Sequence, residues 1–435
     1  MKSQEILNQD YYEMVKGARL QQQNTPIGFN QAVDVGTSKT RGLSFSSSTN
    51  SVNPENIIRV PNEYAILNEE DIEEVLKMEF EERTLNNQLL VKITNKNNPK
   101  SPLYGKDLII SKGLISDKLM KPSSFSVSNT SKFKQTTEYI VNTYTSIIAS
   151  VFTNIVKSLK AGDKITAEKF LNLHVNLACM LPDEEKLSIQ AESLVDALKG
   201  TVEYELPLYG IKGKFLINDS STQRLDVYGE AESVIYYFII KNKSPEIIEA
   251  FTKYGVVVAD VGEGSFDTVF FKERELITRA SSTSREINGS TLVSRTIRNI
   301  ERESHKNGKY FSPREEMIKR VLEDEESDLI MVTPRGDYDI SKSLTDAKIE
   351  MSLEIANLFK NALERNSVFG GVDNLFLVIF AGRTMTHHKK SPSLGVYVAN
   401  NLEKQLDIPA SICKVTHPDS NILGAALKML MYLNR

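Results

Sequence analysis

Two aspartate–glycine turns, far apart in the chain, hold the residues best suited to chemistry. The first is Asp34-Val35-Gly36-Thr37-Ser38-Lys39-Thr40-Arg41-Gly42. The second is Asp260-Val261-Gly262-Glu263-Gly264-Ser265-Phe266-Asp267, entered by the apolar run Val256-Val257-Val258-Ala259. Each predicts a β-hairpin whose turn exposes backbone N–H groups beside an aspartate at the end of a buried strand. Glycine lets the backbone approach phosphate oxygens closely, and successive amides form an anion-binding nest. The aspartates suit Mg²⁺, which keeps several of its waters. A plain hairpin accounts for one such turn. Two in one chain point to phosphate.

The elements that must hold these turns follow from hydrophobic periodicity. After the first hairpin come an acidic helix over about 68–83, the strand Leu89–Ile93 and a strand over Tyr104–Ile110. A long helix over about 133–160 carries Ile140, Val141, Tyr144, Ile147, Ile148, Val151 and Ile155 on a wide apolar face. Leu173–Leu181 reads as a buried parallel strand ending at Pro182. A helix over 189–199, strands over 200–206, 212–217 and 223–228, and a helix from about Glu230 through Tyr237 come next. Beyond the second turn the pattern gives helices near 294–303 and 313–322, a strand over 329–332 and a helix over 345–364. The strand Leu375–Phe380 then runs into Ala381-Gly382-Arg383, and a helix over 421–433 ends the chain. Hairpin then αβ, twice over, predicts two similar α/β lobes with a cleft between them. The boundaries are an N-terminal extension over 1–30, a first lobe over 31–236 with an insertion at about 60–130, and a second lobe over 237–435 with an insertion at about 286–338.

Composition bounds the remaining classes. A net charge of −4 argues against nonspecific nucleic-acid binding. The two cysteines, Cys179 and Cys413, lie in apolar runs, which speaks against a disulfide or metal framework and for a reducing cytoplasm. No apolar stretch is expected to reach the ~20 residues of a membrane span, and Met1–Glu5 does not open a signal peptide. His174 reads as a core histidine, and His387-His388 as part of a solvated loop.

Five segments, in order, resemble the ATPase fold shared by actin, the heat-shock chaperone ATPases and the sugar kinases. They are Asp34–Arg41, Asp226–Tyr236, Asp260–Asp267, Leu375–Arg383 and Asn421–Leu430. Within that superfamily the chain is most similar to the plasmid-segregating bacterial actins of the ParM/StbA group. Tyr104-Gly105, Met180-Leu181-Pro182 and Leu198-Lys199-Gly200-Thr201 followed by three strands carry that likeness. The resemblance implies an actin-like, duplicated ribonuclease H-like α/β fold, two lobes flanking a nucleotide cleft, and a cytoplasmic filament.

It also implies roles. Asp34 and Asp260 would organise Mg²⁺ through water, Asp260 counting among the catalytic residues. Gly36, Thr37, Ser38, Lys39 and Arg41 would meet phosphate from the first turn, and Gly262, Glu263, Gly264 and Ser265 from the second. Ala381, Gly382 and Arg383 would form the adenosine loop, Ala381 standing where the group usually has a glycine. Glu232 best matches the acid that orients the attacking water, with Glu230 as the alternative. The nucleotide would be ATP, with GTP left open. The partners would be further copies of this chain and a DNA-binding adaptor, and through it a plasmid, with no membrane. A small-metabolite kinase or a chaperone-type ATPase on the same fold is the alternative.

Overall fold

The structure, a computed structural model, describes residues 9–36, 39–47, 52–77, 89–113, 136–221, 223–243, 245–278, 281–307, 311–323, 328–333, 336–365, 374–385 and 391–434. Thr37, Ser38, His387 and His388 lie outside the described residues. The chain divides into two units, one of Lys2–Ser233 with Ile422–Arg435, the other of Val234–Asn421.

The first unit opens with helix α1 (Gln9–Ala18), followed by β1 (Ile27–Val35) and β2 (Lys39–Phe45). Then come β3 (Ile57–Pro61), β4 (Tyr64–Leu67), α2 (Glu69–Lys77), β5 (Leu89–Asn95) and β6 (Asp107–Lys112). The long helix α3 (Thr136–Lys160) and short α4 (Lys164–Lys169) lead to β7 (Asn172–Leu181), α5 (Asp183–Lys186) and α6 (Ile189–Leu198). β8 (Gly200–Leu206), β9 (Ile211–Ile217) and β10 (Leu225–Gly229) run into α7 (Glu230–Asn242), whose first turn still belongs to this unit.

One ten-stranded sheet, in the order β3-β2-β1-β7-β9-β8-β5-β6-β4, organises the unit, with β10 also paired to β7. β3 and β4 stand at opposite ends of that order, yet only Asn62 and Glu63 join them. The sheet therefore curls until its ends meet. There Lys112 Nζ of β6 donates to the Pro61 carbonyl of β3 at 2.7 Å. Strands from the 60–130 stretch extend the same sheet that carries the first turn.

Helix α3 is buried from Tyr139 through Phe152, which is why its apolar face is so wide. Thr137–Lys160 is in fact long and apolar enough to cross a membrane by length and composition, contrary to the sequence expectation. Most of it lies buried inside the protein, where Thr145 Oγ1 donates to the Val141 carbonyl and Thr153 Oγ1 to the Ala149 carbonyl, each at 2.9 Å. It is a core helix.

The second unit repeats the pattern. After α8 (Pro245–Lys253), β11 (Gly255–Val261) and β12 (Phe266–Lys272) form a hairpin, with the short β13 (Glu275–Leu276) and β14 (Ser282–Ser284) pairing to β12. Helices α9 (Gly289–Lys306) and α10 (Glu315–Glu323), the hairpin β15 (Ile330–Thr333) and β16 (Gly336–Asp339), and helix α11 (Ser341–Arg365) follow. β17 (Leu375–Ala381), α12 (Leu394–Leu406) and β18 (Cys413–Val415) complete it. The last helix, α13 (Ser420–Leu433), passes into the first unit at Ile422. In both units the leading hairpin strand has an antiparallel partner on one edge, β2 or β12, and a parallel partner on the other, β7 or β17.

Candidate phosphate-binding site

The two turns are closed alike. Gly36 N–H donates to the Lys39 carbonyl at 3.2 Å, and Gly262 N–H donates to the Ser265 carbonyl at 2.9 Å, leaving a two-residue loop in each case. An asparagine from elsewhere braces each turn. Asn62 Nδ2 donates to the Gly36 carbonyl, while its Oδ1 accepts from the Thr40 hydroxyl. Asn288 Nδ2 donates to the Gly264 carbonyl at 3.4 Å. Asn288 also caps α9, accepting the Thr291 N–H at 2.8 Å. The next residue, Gly289, donates its N–H to the Gly262 carbonyl at 2.9 Å. Sequence reasoning missed both asparagines.

The strand-end aspartates have different surroundings. Asp34 faces Arg41 across the β1–β2 ladder, and the two side chains form an ion pair with Asp34 almost wholly buried. Asp260 faces Asp267. Ser265 Oγ donates to Asp267 at 2.8 Å and Thr283 Oγ1 at 2.6 Å, so that second acid is held by hydroxyls. The Asp260 carboxylate instead lies over Gly382, where a Cβ would stand 2.1 Å from Asp260 Oδ1 and 2.4 Å from the Val261 carbonyl. Gly382 also has φ +81°, a region that costs any other residue strain. A glycine is thus required at this position twice over. Ala381, at the end of β17, is fully buried, and Arg383 is exposed. Lys39 is exposed, and Glu263 pairs with Lys319 at 3.5 Å. Each unit thus ends its leading hairpin strand on an aspartate, a hard oxygen donor of the type that Mg²⁺ accepts. Among the described residues no group of three or more His, Cys, Asp or Glu gathers to hold a metal.

No protein-family model matches the chain, and no curated protein matches its sequence. Solved structures do. The actin-like protein Alp7A superposes with a TM-score of 0.60 over 94% of this chain and 97% of its own, at 13% identity. An archaeal actin homologue gives a TM-score of 0.58 over 93% and 99% at 13% identity. A Bacillus thuringiensis ParM solved with AMPPNP gives 0.54 over 94% and 99% at 14% identity. The chain has the actin-like fold. At such identities the likeness is one of fold, and the site rests on its own geometry.

In the actin-like fold of this chain, the head of α7 carries both candidate acids. Glu232 accepts at Oε1 from Lys428 Nζ at 2.7 Å and at Oε2 from Lys186 Nζ at 2.5 Å. Its Oε2 also reaches back to the Gly229 N–H at 3.4 Å, the reciprocal half of a capping box. Burial acts to raise its pKa, but the two lysines outweigh that and hold the carboxyl below its ordinary range. Lys428 further lies 4.5 Å from the Tyr228 ring centre. Glu230 is the first residue of α7, two positions earlier and so on nearly the opposite side of the helix. Burial pushes the Tyr139 hydroxyl well above its ordinary range, with Cys179, Asp34 and Glu230 adding to the shift. One buried phenol therefore feels both Asp34 and Glu230.

Proposed function

We propose that the chain is a filament-forming, nucleotide-hydrolysing protein of the bacterial cytoplasm that moves DNA, a plasmid above all, through an adaptor. One observation carries the reading: the same closed glycine turn, with an aspartate at the end of its leading strand, occurs in both units. The likeness to a ParM solved as a filament from Clostridium botulinum supports assembly of like copies. Head-to-tail contacts between copies are heterologous and build open filaments.

Mg-ATP is the proposed nucleotide, with GTP as the competitor in the same assay. When bound, the cation would neutralise phosphate charge, and Asp34 and Asp260 would hold its waters. The chain's own contribution is positioning and electrostatics, as phosphoryl transfer demands. The turn glycines admit phosphate oxygens to the backbone, and Arg41 offers a fork for oxygen when it leaves Asp34. The water-orienting acid in this reading is Glu230. Glu232 has both oxygens engaged by lysines, whereas Glu230 shares the surroundings of Tyr139 with Asp34.

Right-angle light scattering with Mg-ATP, recorded together with phosphate release, tests the reading on wild type, Glu230→Ala and Glu232→Ala. Wild-type scattering should rise and then fall as phosphate appears. Glu230→Ala should release phosphate at least tenfold more slowly and keep its polymer. Hydrolysis without a scattering change sinks the filament reading, and a phosphorylated small-molecule product would put a metabolite kinase in its place. A Glu232→Ala protein of unchanged Tm that alone blocks release returns the role to Glu232.

A further inference from the structure

Helix α7 begins without a side chain at its N-cap position. Its N-cap position is Gly229, the last residue of β10, which pairs with Leu181 of β7. Glycine offers no oxygen to the free N–H groups of a first turn. They are served from another element. Asp183, two residues beyond Leu181, accepts the Ala231 N–H at Oδ2 (2.7 Å) and the Glu232 N–H at Oδ1 (3.1 Å). One carboxylate thus binds the second and third amides of α7 from 48 and 49 residues away.

The glycine and the aspartate are a matched pair. A Cβ on Gly229 would lie 2.0 Å from Asp183 Oδ1 and 2.6 Å from its Cγ. Asp183 occupies the space a side chain at the N-cap would fill, and it is 7% exposed. Ser233 Oγ closes the turn from below by donating to the Gly229 carbonyl at 2.8 Å.

We propose that Asp183 is the positioning residue of the hydrolytic site, fixing the first turn of α7 and through it the Glu230 carboxylate. This rests on the nucleotide-hydrolysis reading above. Asp183 does not touch substrate in this scheme; it acts through the helix it caps. The groups around it bear on how its charge behaves. Glu230 and Glu232 of α7 both act on its charge, and Glu184, Glu185 and Lys186 belong to its own helix α5. Lys186 and Lys428 of α13 are drawn toward Glu232, while Glu230 and Asp34 both act on the buried Tyr139 hydroxyl. Burial first, then Glu230 and Glu232, push the Asp183 carboxyl up to about 7, against the two backbone hydrogen bonds that lower it. The ionised cap, able to accept both amides fully, is therefore formed as pH rises through neutrality.

The test compares wild type, Asp183→Asn, Asp183→Ala and Gly229→Ala as full-length chains. Phosphate release is measured from pH 6 to 8 beside nucleotide affinity and Tm. Asp183→Ala and Gly229→Ala should each lower kcat at least tenfold with nucleotide affinity changed less than threefold. Asp183→Asn should keep Tm within a few degrees while flattening the rise of kcat with pH around 7. Unchanged kcat in folded Asp183→Ala, or a loss confined to KM, overturns the proposal. A readout that needs no activity accompanies it: the Ala231 amide of ¹⁵N-alanine-labelled, nucleotide-free protein. Its shift should titrate with a midpoint near pH 7 in wild type and stay flat in Asp183→Asn. A flat wild-type amide overturns the cap. A wild type that releases no phosphate but shows the titration overturns the hydrolysis reading and leaves the cap standing.

Discussion

The two glycine turns share a brace and differ in what occupies the aspartate beside it. In the first unit Arg41 holds Asp34 as an ion pair, so the strand end is neutralised by its own hairpin. In the second, Asp260 faces another acid across the ladder and lies over a bare glycine. Duplication has kept the backbone device, a closed two-residue loop tied down by an asparagine. The charge around the two carboxylates has diverged. One unit sets a guanidinium against its carboxylate, and the other seats its carboxylate over backbone.

The contrast breaks most visibly at the occupant. In Gly382→Ala, a Cβ 2.1 Å from Asp260 and 2.4 Å from a backbone oxygen, at φ +81°, has no flexible neighbour to yield. The left-handed backbone alone costs about 1–2 kcal/mol, and the displaced carboxylate adds to it. Nucleotide affinity should fall at least a hundredfold, with a clear drop in Tm. Arg41→Met leaves the buried Asp34 charge without its ion pair, a change that costs about 3–5 kcal/mol when both partners are fully buried. Arg41 keeps some solvent, 18% of its side chain being exposed, so the loss should be smaller than that range. Calorimetric Tm and nucleotide titration on both variants decide the matter. If Gly382→Ala binds like wild type, the second turn does not depend on this seat.

The shared brace is the next place to cut. Asn62 is wholly buried, and its amide and carbonyl both serve the first turn. Asn62→Ala leaves the Gly36 carbonyl and Thr40 hydroxyl without those partners, at about 1–3 kcal/mol for a buried group left unsatisfied. Asn288→Ala removes a helix cap worth about 1 kcal/mol, and the Gly289 N–H still ties the Gly262 carbonyl. Denaturant midpoints should therefore fall further for Asn62→Ala. Equal losses would mean that the two braces matter alike.

What the residues disclosed in advance was local, and what they hid was long-range. Both hairpins were legible because Asp-Val-Gly recurs, entered in the second unit by an apolar run, and β7, α3 and α13 were legible from unbroken apolar faces. Asn62 and Asp183 were not, since each acts on a backbone group 26 or more residues away and no spacing rule encodes that. Asn288 was within reach: an asparagine before Gly-Ser-Thr is a cap signal, yet the helix was expected to start near 294 rather than at Gly289. Pro245 at the head of α8 was a similar unused signal. Helix α12 escaped for a different reason. Val396, Tyr397 and Val398 favour strand, and tertiary packing overrides them. A Cβ on Gly395 would meet Phe380 and Val415 at 3.0 Å, so the glycine lets α12 close onto β17 and β18. Of the site, the turns and their aspartates could be read from the sequence, while the pairing of Glu232 with Lys186 and Lys428 could not.

The smallest expected effect concerns a second device that both units share, a buried lysine behind each loop. Lys112 donates to the Pro61 carbonyl beside Asn62 and to Asn142, and burial pushes its amine down to about 7. Lys348 donates to the Pro392 carbonyl at 2.9 Å and Ser391 Oγ at 3.0 Å, just ahead of α12, and burial lowers it to about 8. A lysine whose folded pKa lies below its unfolded value of 10.5 burdens the fold most at low pH. That burden eases as pH rises from the folded pKa toward the unfolded one, the folded state binding fewer protons throughout that window. Between pH 7 and 8 wild type should gain about 1 kcal/mol relative to Lys112→Met. Relative to Lys348→Met the gain over the same interval should be less than half as large, because its window opens a unit higher. Urea titrations of the three proteins at the two pH values measure the difference directly. Equal gains would mean that the two lysines are solvated alike, and that the resemblance between the units extends beyond the turns.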